Sequence, residues 1–249
     1  MIDFHTHILP NIDDGAENVE IATRLLQAEV EHGVSEIVFT PHYYGKTTVG
    51  QFLSLRVEAL ESIRGSIPNT VRFRSGAEVL MTGVNDPTDE ALCALAVEGT
   101  KCVLMEFPFD TKWSERLFER VSDFIADTGY TPVIAHVERY AEALRNPSVV
   151  TFLARMGCYI QLNTRAFLDK ESRRFAFALL KHGLVHCLGT DTHDENLRAP
   201  DYAAVKYAVE KAGYGSEWNE IQWSMGKILA GETVLKTFGR VKKFGMFYF

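Results

Sequence analysis

The sequence predicts a single α/β barrel, in which a parallel sheet curls into a barrel and helices surround it. Two observations support this fold class. Short apolar runs of strand type alternate with amphipathic stretches along the chain, and side chains that bind metals follow several of these runs. A length of 249 residues is ordinary for such a barrel. We therefore expect residues 1–249 to form one domain, with residues 232–249 as its C-terminal tail.

Seven segments have the strand pattern, and their repeated alternation with helices predicts parallel strands. The seven segments are Ile2 to Ile8, Glu36 to Thr40, Val71 to Val79, Cys102 to Phe107, Thr131 to Ala135, Tyr159 to Asn163 and His186 to Thr190. Seven parallel strands favour a distorted, TIM-like barrel that is closed or nearly closed. An open doubly wound sheet is the alternative, but no GxGxxG motif follows the first strand.

The segments between the strands have helical periodicity. They include Asn18 to His32, Phe52 to Ile63, Glu115 to Thr128, Ser148 to Arg155, Glu171 to His182 and Tyr202 to Ala212. Glycine follows or nearly follows four of them, at Gly33, Gly129, Gly157 and Gly183. Glycine is favoured there because helices often end in a left-handed residue.

The composition limits the partners and the location that we expect. The formal net charge of −7 argues against nucleic acid as a partner, because nucleic-acid binding needs a basic face. No apolar run is long enough to cross a bilayer, and the N-terminus lacks the pattern of a signal segment. We expect a cytoplasmic protein without stable membrane insertion. The four cysteines have no CxxC spacing, which predicts neither a disulfide framework nor a zinc knuckle.

The tail from Glu232 combines basic and aromatic residues. It carries Lys236, Arg240, Lys242 and Lys243 and ends in Phe-Gly-Met-Phe-Tyr-Phe. Docking to a partner or a membrane surface is one interpretation. Packing of the tail against the domain is the interpretation that we favour.

Residue types that bind metals stand at the first two strand ends. His5 and His7 are two residues apart, so a strand directs both imidazoles to the same side. Asp13-Asp14-Gly15 then places two carboxylates in a turn near that strand end. Pro41 ends the pairing of the second strand, which leaves His42 exposed at its end. Each feature alone also fits an ordinary structural role.

The later strands add acids and imidazoles of the same kind. Glu78 and Glu106 stand among apolar residues, where an ionised carboxylate needs a cation, an arginine or a catalytic purpose. His136 follows the fifth strand, and Asp191 and His193 follow the seventh. In a parallel barrel these strand ends converge on one face. The sequence therefore predicts a metal site, for which manganese, iron and zinc all remain open.

The motifs His5-Thr6-His7, Thr40-Pro41-His42, Gly76-Ala77-Glu78, His136 and Asp191-Thr192-His193 resemble, in content and order, the PHP superfamily (polymerase and histidinol phosphatase). Ile12-Asp13-Asp14-Gly15 and His136-Val137-Glu138-Arg139-Tyr140 resemble its manganese-dependent bacterial tyrosine-protein phosphatases of capsule and exopolysaccharide loci. The resemblance implies a phosphotyrosine protein as substrate, with a bacterial tyrosine kinase of polysaccharide export as partner. It also implies two or three Mn²⁺ ions on a distorted seven-stranded PHP barrel.

The resemblance further implies a set of nine metal ligands and three residues that act on phosphate. The first ion would be held by His5, His7, Glu78 and Asp191, the second by Glu78, Glu106 and His136, and the third by Asp14, His42 and His193. Arg139 and Arg198 would bind phosphate oxygens through their guanidinium forks, with Asp191 as a catalytic carboxylate. Similar proteins have Arg-Pro-Pro where this chain has Arg198-Ala199-Pro200, so this loop is expected to differ in shape.

The expected chemistry is hydrolysis of a phosphomonoester without a covalent enzyme intermediate. A cysteine-dependent phosphatase is a poor fit, because the HCx5R loop that would begin at His186-Cys187 has His193 in place of its arginine. A histidinol-phosphate or other small-molecule phosphatase is a closer alternative. A non-catalytic PHP regulatory module is an alternative from another class, although it predicts eroded ligands and the set here is complete.

Overall fold

Parallel strands form the centre of the fold. The computed structural model describes residues 1–82, 90–235 and 237–249. Its parallel strands are β1 (Ile2–Thr6), β2 (Glu36–Phe39), β3 (His42–Tyr43), β4 (Arg72–Ser75), β5 (Glu78–Leu80), β6 (Cys102–Glu106), β7 (Thr131–Ile134), β8 (Tyr159–Asn163) and β9 (Cys187–Gly189). Except for β3, which we did not predict, each lies within about two residues of a predicted segment or of half of one.

The strands divide into a three-stranded sheet, in the order β1-β2-β4, and a six-stranded sheet, in the order β3-β5-β6-β7-β8-β9. One predicted strand is broken, and another is followed by a short strand that we did not predict. Gly76-Ala77 divides the predicted strand Val71 to Val79 into β4 and β5. Pro41 ends β2, as expected because proline has no amide proton for the ladder, but the chain pairs again in β3 directly after it. The chain bends from one sheet into the other at both places.

The closed seven-stranded barrel is not confirmed. The described residues form a curled parallel sheet that resembles an open half-barrel, because the breaks at Pro41 and Gly76-Ala77 divide the pairing into two sheets. The strand order within the larger sheet follows the chain order from β5 to β9. This order is that of a barrel and differs from the reversed order of a doubly wound sheet.

Eight α-helices surround the sheets in the described part of the chain. They are α1 (Val19–Glu31), α2 (Val49–Ile63), α3 (Glu115–Thr128), α4 (Ala141–Arg145), α5 (Ser148–Arg155), α6 (Arg173–Lys181), α7 (Tyr202–Lys211) and α8 (Gly215–Leu229). The side chain of Asn18 caps α1 by accepting a hydrogen bond from the amide of Ile21. Such a cap contributes about 0.5–2 kcal/mol. Positive φ angles occur at all four glycines that we predicted to end helices, but α4 and α8 were not among the predicted helices.

The tail packs against the domain only in part. Val234 and Val241 are buried, and Lys236 lies outside the described residues. The chain then forms an antiparallel hairpin of β10 (Lys243–Phe244) and β11 (Phe247–Tyr248). Phe244, Met246, Phe247 and Phe249 of this hairpin are exposed.

Candidate metal centre

The fold brings all nine predicted ligand residues to one place. Each lies at the end of a strand or in the loop that follows one. Eight of the nine are buried, and Asp14 is the member with substantial exposure. A group of charged and polar side chains so deep in a protein needs partners of opposite charge or a bound cation.

The first group consists of His5, His7, Glu78 and Asp191. The Nε2 atoms of the two histidines are 3.0 Å apart, and they lie 3.1 and 3.2 Å from Glu78 Oε2. Asp191 Oδ1 lies 3.7 Å from His5 Nε2 and 3.4 Å from His7 Nε2. Ligand atoms bound at about 2.0–2.2 Å to one cation stand roughly 3–3.5 Å apart. The four side chains therefore have the spacing of a coordination shell.

The second group shares Glu78 with the first. His136 Nε2 lies 2.8 Å from Glu78 Oε1 and 3.4 Å from Glu106 Oε1. His42 also approaches this group, with Nδ1 at 3.2 Å from Glu78 Oε2 and 3.9 Å from Glu106 Oε2. The geometry thus permits His42 to join Glu78 and Glu106, which the sequence interpretation did not consider.

The third group lies closest to solvent. Asp14 Oδ1 is 3.5 Å from His42 Nε2 and 3.7 Å from His193 Nε2. His7 stacks between them, with its ring centre 4.3 Å from that of His42 and 3.9 Å from that of His193. Tyr44 donates a hydrogen bond of 3.1 Å to Asp14 Oδ1, so the exposed carboxylate is nevertheless held in place.

Several buried atoms of the cluster fit a bound cation. Within the described ranges, Glu78 Oε2, His42 Nδ1 and His193 Nε2 make no hydrogen bond of acceptable geometry. A buried polar atom left without a partner costs about 1–3 kcal/mol. Carboxylate oxygens and imidazole nitrogens are the ligand types that manganese, iron and zinc accept. The residues present therefore fit a group of divalent cations.

The charges within the cluster are strongly coupled. Burial alone would raise the pKa of Glu78, but the imidazoles of His5, His42 and His136 outweigh it and hold this pKa well below its ordinary value. For the imidazole of His136 the directions are opposite. Burial alone would lower its pKa, but the carboxylates of Glu78 and Glu106 outweigh burial and raise the pKa to about 10. The carboxylates thus favour positive charge at this place, whether it is carried by protons or by metal ions.

Backbone conformation contributes to the arrangement at two of the predicted ligands. His136 has a φ of 30° and Asp191 a φ of 55°, which places both in the left-handed region. Residues other than glycine rarely occupy this region, and surrounding structure must hold them there. Such strain is concentrated at functional sites, which makes both residues candidates for a functional role.

Two glycines let the loops of the site approach β1 closely. A Cβ atom on Gly189 would lie 2.4 Å from Cβ of His5, and one on Gly15 would lie 2.1 Å from the carbonyl oxygen of His7. Only glycine fits at such distances. The chain after β9 and the Asp13-Asp14 turn can therefore pack directly against the two histidines.

Both predicted phosphate-binding arginines lie beside the cluster. Arg139 Nη1 is 3.2 Å from Asp191 Oδ2, and Arg198 donates a short hydrogen bond to Asp191 Oδ1. A cavity of about 740 Å³ opens at this point and is lined by both arginines and by Phe109. The Arg139 guanidinium carbon lies 4.3 Å from the centre of the Phe109 ring. Two guanidinium groups therefore stand in the wall of the cavity next to the acidic cluster.

Three polar residues orient the ligands. The sequence interpretation placed Asp13 near them without giving it a role, and it missed Gln161 and Asn163. Asp13 accepts a hydrogen bond from the amide of His42 and lies 2.8 Å from His7 Nδ1. Gln161 Oε1 lies 3.4 Å from His5 Nδ1, and Asn163 donates a 2.8 Å hydrogen bond to Asp191 Oδ2. Gln161 and Asn163 are two residues apart on β8, so a signal was present: polar side chains with a period of two inside a buried strand.

Comparison with known proteins places the chain in one family. The model of the family described as "Capsular polysaccharide synthesis, CpsB/CapC" matches residues 1–226. The tyrosine-protein phosphatase YwqE of Bacillus subtilis (strain 168) is 30% identical over 224 residues, which cover 87% of this chain and 86% of the relative. The tyrosine-protein phosphatase CpsB of Streptococcus pneumoniae is 30% identical over 237 residues, covering 85% and 93% of the two chains.

The fold has close and distant counterparts among solved structures. One match is a chain from the crystal structures of YwqE from Bacillus subtilis and CpsB from Streptococcus pneumoniae, two proteins that are described as unique metal-dependent tyrosine phosphatases. It matches with a TM-score of 0.83 and 27% identity over 98% of this chain and 100% of that one. The phosphotriesterase homology protein of Escherichia coli matches with a TM-score of 0.57 and 12% identity, over 92% of this chain and 97% of that one. At this identity the match shows a shared fold and nothing more. The chain belongs to the CpsB/CapC family.

Proposed function

We propose that this protein is a metal-dependent phosphomonoester hydrolase that removes phosphate from phosphotyrosine in proteins. The observation that carries the proposal is the convergence of nine carboxylate and imidazole side chains in one cluster, whose Asp191 contacts two arginines that line the adjacent cavity. The family relationship supports it, because relatives that match most of the chain are named tyrosine-protein phosphatases. A single site for phosphate hydrolysis would account for the separate histidine and acid motifs of the sequence.

The proposed metal ligands are the nine residues of the three groups, with Glu78 shared between the first two. Divalent cations bound there would stabilise negative charge on phosphate and lower the pKa of water near neutral pH. We infer manganese as the ion in three sites, because the set mixes imidazoles with carboxylates and contains no thiolate. Iron and zinc also accept this set of ligands.

Arg139 and Arg198 are the proposed phosphate-binding residues. Both guanidinium groups approach Asp191 from the cavity side, so Asp191 can hold their planes beside the metal ligands. A planar fork matches two phosphate oxygens, and the charge that develops on them during hydrolysis strengthens the contact. The leaving phenol of tyrosine has a pKa of about 10, so its departure needs little protonation and we assign no general acid.

Attack by a cysteine is not part of this proposal. Cys187 is fully buried on β9, and Cys102 and Cys158 are buried as well. Burial raises the pKa of the thiols of Cys102 and Cys158 to about 12, which disfavours the reactive thiolate. The described structure therefore supports hydrolysis without a phosphocysteine.

The proposed physiological substrate is a phosphotyrosine on a bacterial tyrosine kinase of polysaccharide export. The family description links the fold to capsular polysaccharide synthesis. The cavity next to the arginines contains Phe109, whose exposed ring can contact the phenol ring of a substrate. A histidinol-phosphate phosphatase is the second candidate, because the same metal groups could serve a small phosphate ester.

We also infer that the two parallel sheets together approach the seven-stranded barrel of the PHP fold. Support comes from the junction of β1 and β9, where Thr6 and Thr192 form a parallel bridge. Next to it, the amide of Asp191 donates to the carbonyl of His5 at 2.8 Å, and that of His7 to the carbonyl of Thr192 at 2.9 Å. These contacts continue the larger sheet toward β1.

The experiment compares two substrates before and after metal removal. Chelation should abolish the release of phosphate from phosphotyrosine peptides, and manganese should restore more activity than magnesium. Restored kcat/KM should be higher for phosphotyrosine peptides than for histidinol phosphate. Full activity in metal-free protein would contradict the metal dependence, and a preference for histidinol phosphate would favour the second candidate.

A further inference from the structure

The C-terminal hairpin, formed by residues 242–249, has a surface unlike the rest of the protein. Its two short strands pair antiparallel across a turn at Gly245, and Lys242 and Phe249 exchange backbone hydrogen bonds of 2.7 and 3.0 Å. Tyr248 and Lys243 attach it to the domain, because both side chains donate to the carbonyl oxygen of Leu144, at 2.8 and 2.7 Å. The hairpin is thus a fixed element of the described fold.

Four large apolar side chains stand out from this hairpin. The exposed fractions are 78% for Phe244, 71% for Met246, 64% for Phe247 and 54% for Phe249. Such a dense group of exposed apolar residues marks an interaction surface. Because most of each residue is exposed to solvent, the group can enter the apolar boundary of another surface.

Basic side chains flank the apolar group. Lys242 and Arg240 precede it in sequence, and Arg173, Arg174 and Lys181 of α6 line a groove together with Phe247. The Arg174 guanidinium carbon lies 5.7 Å from the centre of the Phe247 ring. Two acidic residues, Glu217 and Glu220, line the adjacent groove with Lys181 and not the groove that contains Phe247. The hairpin is therefore locally cationic in a chain whose net charge is −7.

We propose that the C-terminal hairpin is an interfacial anchor that binds an anionic membrane surface. Aromatic and methionine side chains enter the boundary between head groups and acyl chains, while lysine and arginine pair with anionic lipids. Among the described residues, no helix has the length and apolarity to span a bilayer, so the proposed contact is peripheral. The charge pattern selects an anionic bilayer over a neutral surface, and the inference does not rest on the proposed catalytic function.

The hairpin lies near the cavity that contains the two arginines. Leu144, which anchors the hairpin, also lines the cavity beside Arg139 and Arg198. A membrane bound at the hairpin would therefore lie close to the mouth of the cavity. If the substrate is a phosphotyrosine on a membrane protein, the anchor would raise its local concentration at the active site.

The test is co-sedimentation of the full chain with vesicles. One set contains phosphatidylcholine alone and the other phosphatidylcholine mixed with phosphatidylglycerol. We expect binding to the mixed vesicles that weakens as salt is raised. The triple variant Phe244→Ser, Met246→Ser, Phe247→Ser and the double variant Lys242→Glu, Arg173→Glu should each lower the partition coefficient at least about 10-fold.

Trp223→Ser on α8 is the matched control, because Trp223 is also exposed and has a lysine, Lys227, 5.8 Å from its ring centre. It should bind vesicles as the unaltered chain does. Circular dichroism and hydrolysis of a small aryl phosphate report folding of every variant. Equal binding to both vesicle types, or unchanged binding by both hairpin variants, would overturn the proposal. The unaltered chain could instead fail to bind vesicles and form a dimer that the triple variant does not form. That result would also overturn the proposal and identify a second copy of the chain as the partner.

Discussion

At the scale of single residues, Asp191 connects the proposed metal ligands with the proposed phosphate-binding arginines. One of its oxygens lies 3.4 Å from His7 Nε2 and accepts from Arg198, while the other contacts Arg139 and Asn163. Burial would raise the pKa of Asp191, but the imidazoles of His5 and His7 lead the neighbours that hold it below its ordinary value. The carboxylate therefore stays ionised, and it can orient arginines while it binds a cation.

The roles proposed for Arg139 and His136 can be separated by substitution. Arg139→Lys keeps the charge but loses the planar fork, so metal content should persist while kcat/KM falls by about 10-fold or more. His136→Ala should instead lower metal stoichiometry and activity together. Metal analysis and kinetics on each folded variant measure both effects. Unchanged kinetics in Arg139→Lys would leave that arginine with a structural role, and full metal occupancy in His136→Ala would remove His136 from the ligands.

At the scale of elements, the close contact between the end of β9 and β1 sets the geometry of the histidines. Gly189 ends β9 directly against His5, and Asp3 accepts hydrogen bonds of 3.1 Å from the amides of His5 and Thr190. This contact joins residues that are more than 180 positions apart in the sequence. The position of His5 is therefore determined by the packing of two strand ends.

Gly189→Ala tests this contact. The added methyl group would lie 2.4 Å from Cβ of His5, so we expect a loss of about 1–3 kcal/mol in the free energy of unfolding and weaker metal binding. Gly50→Ala in α2 is the control, because a Cβ there meets nothing within 4 Å. It should be neutral or stabilise the helix by about 0.5–1 kcal/mol. Denaturant unfolding of both variants measures the difference. If the two variants are equally stable, β1 and β9 can move apart without a loss in the free energy of unfolding, which would contradict the importance of this contact.

At the scale of the whole molecule, the fold concentrates negative charge in one buried place. Asp14, Glu78, Glu106 and Asp191 come from distant parts of the sequence and meet within a single cluster. Like charges at such distances repel one another unless cations or protons lie between them. Metal binding should therefore stabilise the folded state as a whole.

Removal of metal should lower the melting temperature. A ligand at about 100 times its Kd stabilises the folded state by about 2.7 kcal/mol. For a chain of this length that corresponds to roughly 5–10 °C in Tm. Thermal unfolding of chelated and manganese-loaded protein measures the shift, and the shift should shrink in Glu78→Gln. Identical melting curves with and without manganese would contradict metal binding at the cluster.

The sequence by itself predicted most of the strands and helices and the residues that meet in the cluster. The period of two and the period of 3.6 in apolar residues predicted the strands and helices, because burial of one face depends on local spacing. The same periodicity placed His5 and His7 on one side of β1. The strand ends marked the predicted ligands, since parallel strands bring those ends to one face.

Only the tertiary structure decided how the pieces meet. The breaks at Pro41 and Gly76-Ala77 left an open curled sheet where a closed barrel was expected. The sequence also did not predict that Asp13 contacts His7 while Asp14 contacts Tyr44. Nor did it predict the contact between Gln161 and His5. Each depends on partners brought together by strand register and loop packing. Local periodicity contains no information about such distant partners, because it reports which face a side chain occupies and not what lies opposite.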